Sequence, residues 1–150
     1  MKRIFIYYSL SGNGDIVANY LKNKKIDIRK VEVAKKDKLS NNIFLRIMTG
    51  GFKAFINYKD RLVDFDSDID KYDEIIIGSP IWNSRLSSPI SSVLDKINFK
   101  NKKITFILYS GSGKSKKATE KINMMYTDVR IINMKEPKVN KEEFEKLKIL

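Results

Sequence analysis

Residues 3–22 read RIFIYYSLSGNGDIVANYLK, and this stretch decides the fold class. Ile4 to Tyr8 form a nearly continuous apolar run. A strand covered on both faces has that pattern, whereas a strand with one wet face alternates. Six residues rich in serine and glycine follow, SLSGNG at 9–14, and then Ile16, Val17, Tyr20 and Leu21 recur at helical spacing. A buried strand, a polar glycine loop and a helix make the opening unit of a parallel α/β sheet.

The alternation continues along the chain. IRKVEV at 28–33 reads as a second strand. Residues 40–58 carry Ile43, Phe44, Ile47, Met48, Phe52, Phe55 and Ile56, expected as helical or irregular cover broken at Gly50-Gly51. EIIIG at 74–78 is a short β-branched run, a buried central strand. Pro89 to Ile97 places apolar residues at 90, 93, 94 and 97, the spacing of a helix. ITFILY at 104–109 is a fourth strand, SGSGKS leads into a helix through about Tyr126, VRIIN at 129–133 is a fifth strand, and KEEFEKLKIL closes as an amphipathic helix. Five strands alternating with helices, none joined by a hairpin turn, predict parallel β-α-β units in one domain over 1–150.

The chain of 150 residues has room for one hydrophobic core. Neither cysteine nor histidine is present. That excludes disulfides, a thiolate nucleophile, a Ser-His-Asp triad and zinc or iron–sulfur sites built on those residues. Thirty Lys and Arg against 18 Asp and Glu give a net charge of +12, a surface that attracts anions. The basic excess lies at 22–46 and 100–121. An acidic run, Asp60, Asp64, Asp66, Asp68, Asp70, Asp73 and Glu74, separates the two. The Lys-rich segments lack the interleaved arginines and aromatics of nucleic-acid stripes, so compositional bias is favoured over a polyanion site. Lys2 and Arg3 before the run Ile4–Leu10 imitate a leader, but the run is short and lacks a small-residue cleavage site. A cytoplasmic location is the expectation.

Three loops carry the functional signal, because ligands of open parallel sheets bind beyond the carboxyl ends of the strands. In SLSGNG the amides exposed by Gly12 and Gly14, with the hydroxyls of Ser9 and Ser11, can surround a phosphate at a helix start. No lysine or arginine lies in that loop, so the donors there are neutral; the competing reading is a polar turn capped by Asn13 or Asp15. GSPIWNSRLSSP at 78–89 holds the only tryptophan, Trp82, where it can either pack or stack on a flat ring. YSGSGKS at 109–115 imitates the end of a P-loop, but Leu108 stands where its opening glycine belongs. The acidic pair that a response-regulator receiver needs after its first strand is missing, since Tyr7, Tyr8 and Ser9 occupy those positions.

Together these loops resemble the flavodoxin family in its short-chain form. The Ser-x-Ser-Gly-Asn run resembles the family's FMN phosphate loop. YDEIIIGSPIWNSRLSSP resembles the strand and aromatic loop beside the isoalloxazine, and FKNKKITFILYSGSG the fourth strand and its loop. The likeness extends over essentially the whole chain, GGFKAF at 50–55 included. It implies a three-layer α/β/α sandwich with a five-stranded parallel sheet of order 2-1-3-4-5. It also implies that Ser9, Leu10, Ser11, Gly12, Asn13 and Gly14 hold the FMN phosphate. Pro80, Ile81, Trp82, Asn83, Ser84 and Arg85 would wrap the ring, and Ser110, Gly111, Ser112 and Gly113 would contact its pyrimidine side. Gly14 departs from the usual threonine, Asn83-Ser84 from the usual small or glycine-containing pair, and the basic charge from the usual acidic one.

The function so implied is FMN-mediated electron transfer between redox partner proteins, acidic ones suiting the basic surface. An FMN-dependent NAD(P)H:quinone or other acceptor reductase is the enzymatic alternative, although no nicotinamide motif is visible. A basic nucleic-acid-binding module on the same fold is the third. No membrane association is expected, and the chain is expected to be a monomer or weak dimer.

Overall fold

Alternate burial builds the centre of the molecule. In β1 (Arg3–Tyr7), Ile4 and Ile6 face one side of the sheet, and Phe5 and Tyr7 face the other. Both sides are buried, so the strand reads as an unbroken apolar run. The computed structural model describes residues 1–34 and 42–150. Part of the basic stretch at 22–46 and the start of the 40–58 segment therefore lie outside the described residues.

The elements follow as α1 (Asn13–Asn23), β2 (Asp27–Lys30), α2 (Ile43–Phe55), β3 (Glu74–Trp82), β4 (Arg85–Leu86), α3 (Ser88–Leu94), β5 (Lys103–Ser110), α4 (Lys116–Met125), β6 (Val129–Lys135) and a closing 3-10 helix, Lys141–Leu147. The parallel strands lie in the order β2-β1-β3-β5-β6, and β4 pairs antiparallel with the end of β3. Setting β4 aside, this is the expected order. α1 and the closing 3-10 helix cover one face, where Val17, Leu21 and Leu147 pack with Phe5, Ile76 and Ile107. α3 and α4 cover the other, with Ile90, Val93 and Ile122 against Ile6, Ile77 and Phe106. No helix of the described residues is long and apolar enough to cross a membrane.

Several expectations are corrected. β3 does not stop at Gly78 but runs to Trp82 and turns back into β4, so one pair of strands is joined by a hairpin. Asn83 and Ser84 make that turn with φ of 48° and 63°, both left-handed, as a two-residue hairpin loop requires. α2 runs through Gly50-Gly51 without a break. The second strand ends at Lys30, and Val33 makes only an isolated bridge to Leu62. The terminal segment winds as a 3-10 helix because its apolar residues, Phe144, Leu147 and Leu150, recur every three residues toward the same core.

The acidic run is structural. Asp60 is 4% exposed; its Oδ1 pairs with Lys53 Nζ of α2 at 2.7 Å, and its Oδ2 accepts from the Ser88 hydroxyl at the start of α3. Asp66 holds Arg29 at 2.8 Å, and Glu74 accepts from the Thr105 hydroxyl at 2.8 Å between β3 and β5. Removing one member of a buried pair leaves the other charge uncompensated. Asp60→Ala is therefore expected to lower the unfolding free energy by about 3 kcal/mol, read by urea titration. Asp60→Asn, which keeps a group for Ser88, should cost less.

Candidate active site

The carboxyl ends of β1, β3 and β5 share one rim of the sheet, and the loops that leave them enclose a cleft of about 320 Å³. From the first loop, Leu10, Ser11 and Asn13 line it. The hairpin supplies Pro80, Ile81, Trp82 and Asn83, and the end of β5 supplies Ser110 and Gly111. The three loops picked out from the sequence therefore converge on one cavity.

The first loop presents backbone donors. The first bond within α1 runs from the Ile16 amide to the Gly12 carbonyl at 3.1 Å, and Ser9 Oγ accepts from the Asp15 amide at 3.3 Å. The amides of Gly12, Asn13 and Gly14 have no acceptor among the described residues, as befits a helix start. Neither Asn13 nor Asp15 caps the helix. The Asn13 side chain donates to Ser11 Oγ at 3.3 Å and accepts from the Lys138 amide at 3.0 Å. Asp15 turns aside to Lys30, at 2.8 Å, and to the Tyr7 hydroxyl, at 3.0 Å. Burial raises the Asp15 carboxyl, but bonds from Lys30, Ser9 and Tyr7 outweigh it and hold the group below its ordinary value. Burial, followed by the bond to Asp15, pushes the Tyr7 phenol well up.

Gly14 does more than spare a hydroxyl. A Cβ at Gly14 would come within 2.5 Å of the Tyr109 hydroxyl and 2.9 Å of the Tyr7 ring. Tyr109, 2% exposed, donates that hydroxyl to the Tyr8 carbonyl, and burial raises its phenol well above the ordinary value. A threonine at 14 has no room.

Trp82 stands half-buried on the hairpin, with its ring edge-on to Tyr8 at 5.9 Å between centroids. Of the other candidates, Ser84 turns away from the cleft: its carbonyl accepts from Ala118 at 2.8 Å and its hydroxyl from Lys117 at 3.4 Å, both at the start of α4. Ser112 Oγ accepts from Lys114 at 3.2 Å within its own loop, and Gly113 backs onto Lys135. Ser9, Gly12 and Gly14 belong to the first loop but do not line the cleft itself. Arg85 lies outside the lining, its guanidinium 5.2 Å from the Phe55 ring centre, and donates to the Asn83 carbonyl at 3.4 Å. No carboxylate pairs with it among the described residues. Gly51, Tyr109 and Glu136 also line the cleft, although none of them is among the site residues expected from the sequence. For Glu136 a signal existed: a parallel sheet brings the exit of its last strand to the same rim as the others.

A model of the NADPH-dependent FMN reductase family matches residues 1–146. The chain belongs to that family. No curated protein matches it in sequence. Among solved structures, a flavoprotein of Lactobacillus acidophilus NCFM in complex with FMN is 22% identical with a TM-score of 0.67, over 87% of this chain and 89% of that one. A Bacteroides eggerthii DSM 20697 protein proposed to be a flavoprotein is 18% identical with a TM-score of 0.69, over 96% of each chain. One from Bacteroides uniformis ATCC 8492 is 19% identical with a TM-score of 0.69, over 89% and 91%. All three share the flavodoxin-like fold of this FMN reductase family member.

Two tests address the first loop. Gly14→Ala is expected to destabilise the fold by about 1–3 kcal/mol through overpacking. In a double-mutant cycle by urea unfolding, Tyr109→Phe should recover part of that loss. Asp15 has a folded-state value below its unfolded one, so its contribution is complete above about pH 4 and disappears as pH falls through the folded value. The stability gap between wild type and Asp15→Asn should accordingly narrow on acidification from neutral pH, measured by urea unfolding at each pH.

Proposed function

We propose that this protein is an FMN-dependent oxidoreductase that takes two electrons from NAD(P)H and delivers them to a small acceptor such as a quinone. The observation that carries the reading is the family match along residues 1–146, supported by a rim cleft whose residues suit FMN. The sequence alone favoured a carrier between redox proteins; membership of a reductase family reverses that order.

The residues fit the cofactor by their chemistry. Unpaired amides at Gly12 to Gly14, with the Ser11 hydroxyl, suit a phosphate at the positive end of α1. Trp82, braced by Tyr8, suits one wall for a flat ring, and the polar backbone at Ser110 and Gly111 suits its heteroatom edge. Bound FMN would supply the two-electron relay between nicotinamide and acceptor. The chain's own work is to grip the phosphate, brace the ring and keep water from its inner edge with Pro80 and Ile81. Tyr109, raised by burial, keeps its proton on the phenol oxygen and stays a neutral donor to Tyr8.

The test is NADPH oxidation by the FMN-loaded protein with a quinone in excess. Sustained, quinone-dependent turnover is expected. Tight FMN binding without NADPH oxidation would sink the reductase reading and return the carrier between proteins. Trp82→Ala should weaken FMN binding by about tenfold, as loss of an aromatic wall does; unchanged affinity would remove Trp82 from the site.

A further inference from the structure

We propose that Lys138 is a phosphate-binding residue of this site and makes it select FMN over unphosphorylated riboflavin. The inference rests on the cofactor reading above and goes beyond it, because the loop from Ser9 to Gly14 contains no cation. A phosphate monoester carries between one and two negative charges at neutral pH, more than the roughly half charge of a helix start can balance. The charge that completes the balance comes from the far end of the chain.

Beyond β6, the segment from Lys135 to Asn140 folds back as a strap. Asn140 Nδ2 donates to the Lys135 carbonyl at 2.8 Å, and the amides of Val139 and Asn140 donate to the Glu136 carbonyl at 2.8 and 3.0 Å. Pro137 is buried beneath it. The strap is pinned to the first loop where the Lys138 amide meets Asn13 Oδ1 at 3.0 Å. The Lys138 side chain then runs along Gly12: a Cβ there would lie 3.5 Å from both Cδ and Nζ. Its Nζ donates to the Ser11 carbonyl at 3.4 Å. An ammonium has three donors, so that bond leaves two for an anion. No carboxylate pairs with Lys138 among the described residues. Lys138 is exposed, yet its own backbone fixes it beside the first loop, with donors to spare. The arrangement also changes the part taken by Asn13, whose side chain orients Lys138.

The experiment is a fluorescence titration of the flavin-free protein with FMN and, separately, with riboflavin. Wild type, Lys138→Met and Lys138→Arg are compared at low and high salt. Lys138→Met is expected to lose about tenfold or more in FMN affinity, as a charge-assisted bond predicts, with riboflavin affinity unchanged. Its FMN affinity should also respond less to salt, and Lys138→Arg should restore most of the loss. FMN affinity unchanged in Lys138→Met would overturn the proposal while leaving the cofactor reading intact, as would equal losses for FMN and riboflavin. A wild-type protein that takes neither flavin would overturn both.

Discussion

The Tyr109 hydroxyl donates to the Tyr8 carbonyl, and the floor of the cleft depends on that bond. Tyr109 is the penultimate residue of β5 and Tyr8 follows β1, two strands that do not pair because β3 runs between them. The phenol therefore spans the sheet below the rim and ties its two outer loops together. Its position dictates residue 14, where any side chain would collide with the hydroxyl. Glycine at 14 leaves room for that hydroxyl, for the Tyr7 ring and for the Ser9 side chain. Buried as it is, the phenol stays protonated over the physiological range, so the bond does not switch with pH.

The fold was largely legible because burial on both faces leaves an unmistakable pattern: Ile4 to Tyr8, Ile75 to Ile77 and Ile104 to Tyr109 could be nothing but covered strands. What escaped is what depends on local turn chemistry or on distant contacts. Asn83-Ser84 lacks the glycine that announces a two-residue hairpin, yet both residues adopt left-handed backbone. The glycine pair in α2 signalled a break, yet the helix runs through it to Phe55 against local propensity. At the site, the loops after β1, β3 and β5 were readable because parallel topology sends their ends to one rim. Which serines face the cleft was not readable. Ser84 and Ser112 are committed to backbone groups near α4, a competition that spacing does not reveal.

Charge is distributed less evenly than the composition suggests. Carboxylates are spent on the scaffold: Asp60 with Lys53, Asp66 with Arg29, Asp15 with Lys30 and Asp95 with Lys59. Arg85, bonded to the lining residue Asn83, and Lys138, bonded to the lining residues Ser11 and Asn13, have no such partner among the described residues. Each unit charge about 10 Å from an anion contributes on the order of 0.4 kcal/mol in water, and more where protein replaces solvent. A site flanked by two such cations favours an anionic guest before any specific contact is counted. Glu136 on the same rim opposes them in part.

The position of α2 follows from the same logic. Its apolar stripe was expected to act as cover, yet Met48, Phe52 and Phe55 are 56%, 63% and 62% exposed. Burial of these three side chains therefore does not hold the helix against the hairpin. Among the described residues, Lys53 bonds Asp60, which in turn bonds Ser88, and Arg85 of the hairpin rests on the face of Phe55. Both contacts lie within four residues of Gly51, the point at which α2 reaches the cleft. An ion pair and a cation–π contact thus contribute to the placing of this lip of the cleft, and both are directional. The exposed side chains of Met48, Phe52 and Phe55 leave an apolar shelf next to that lip.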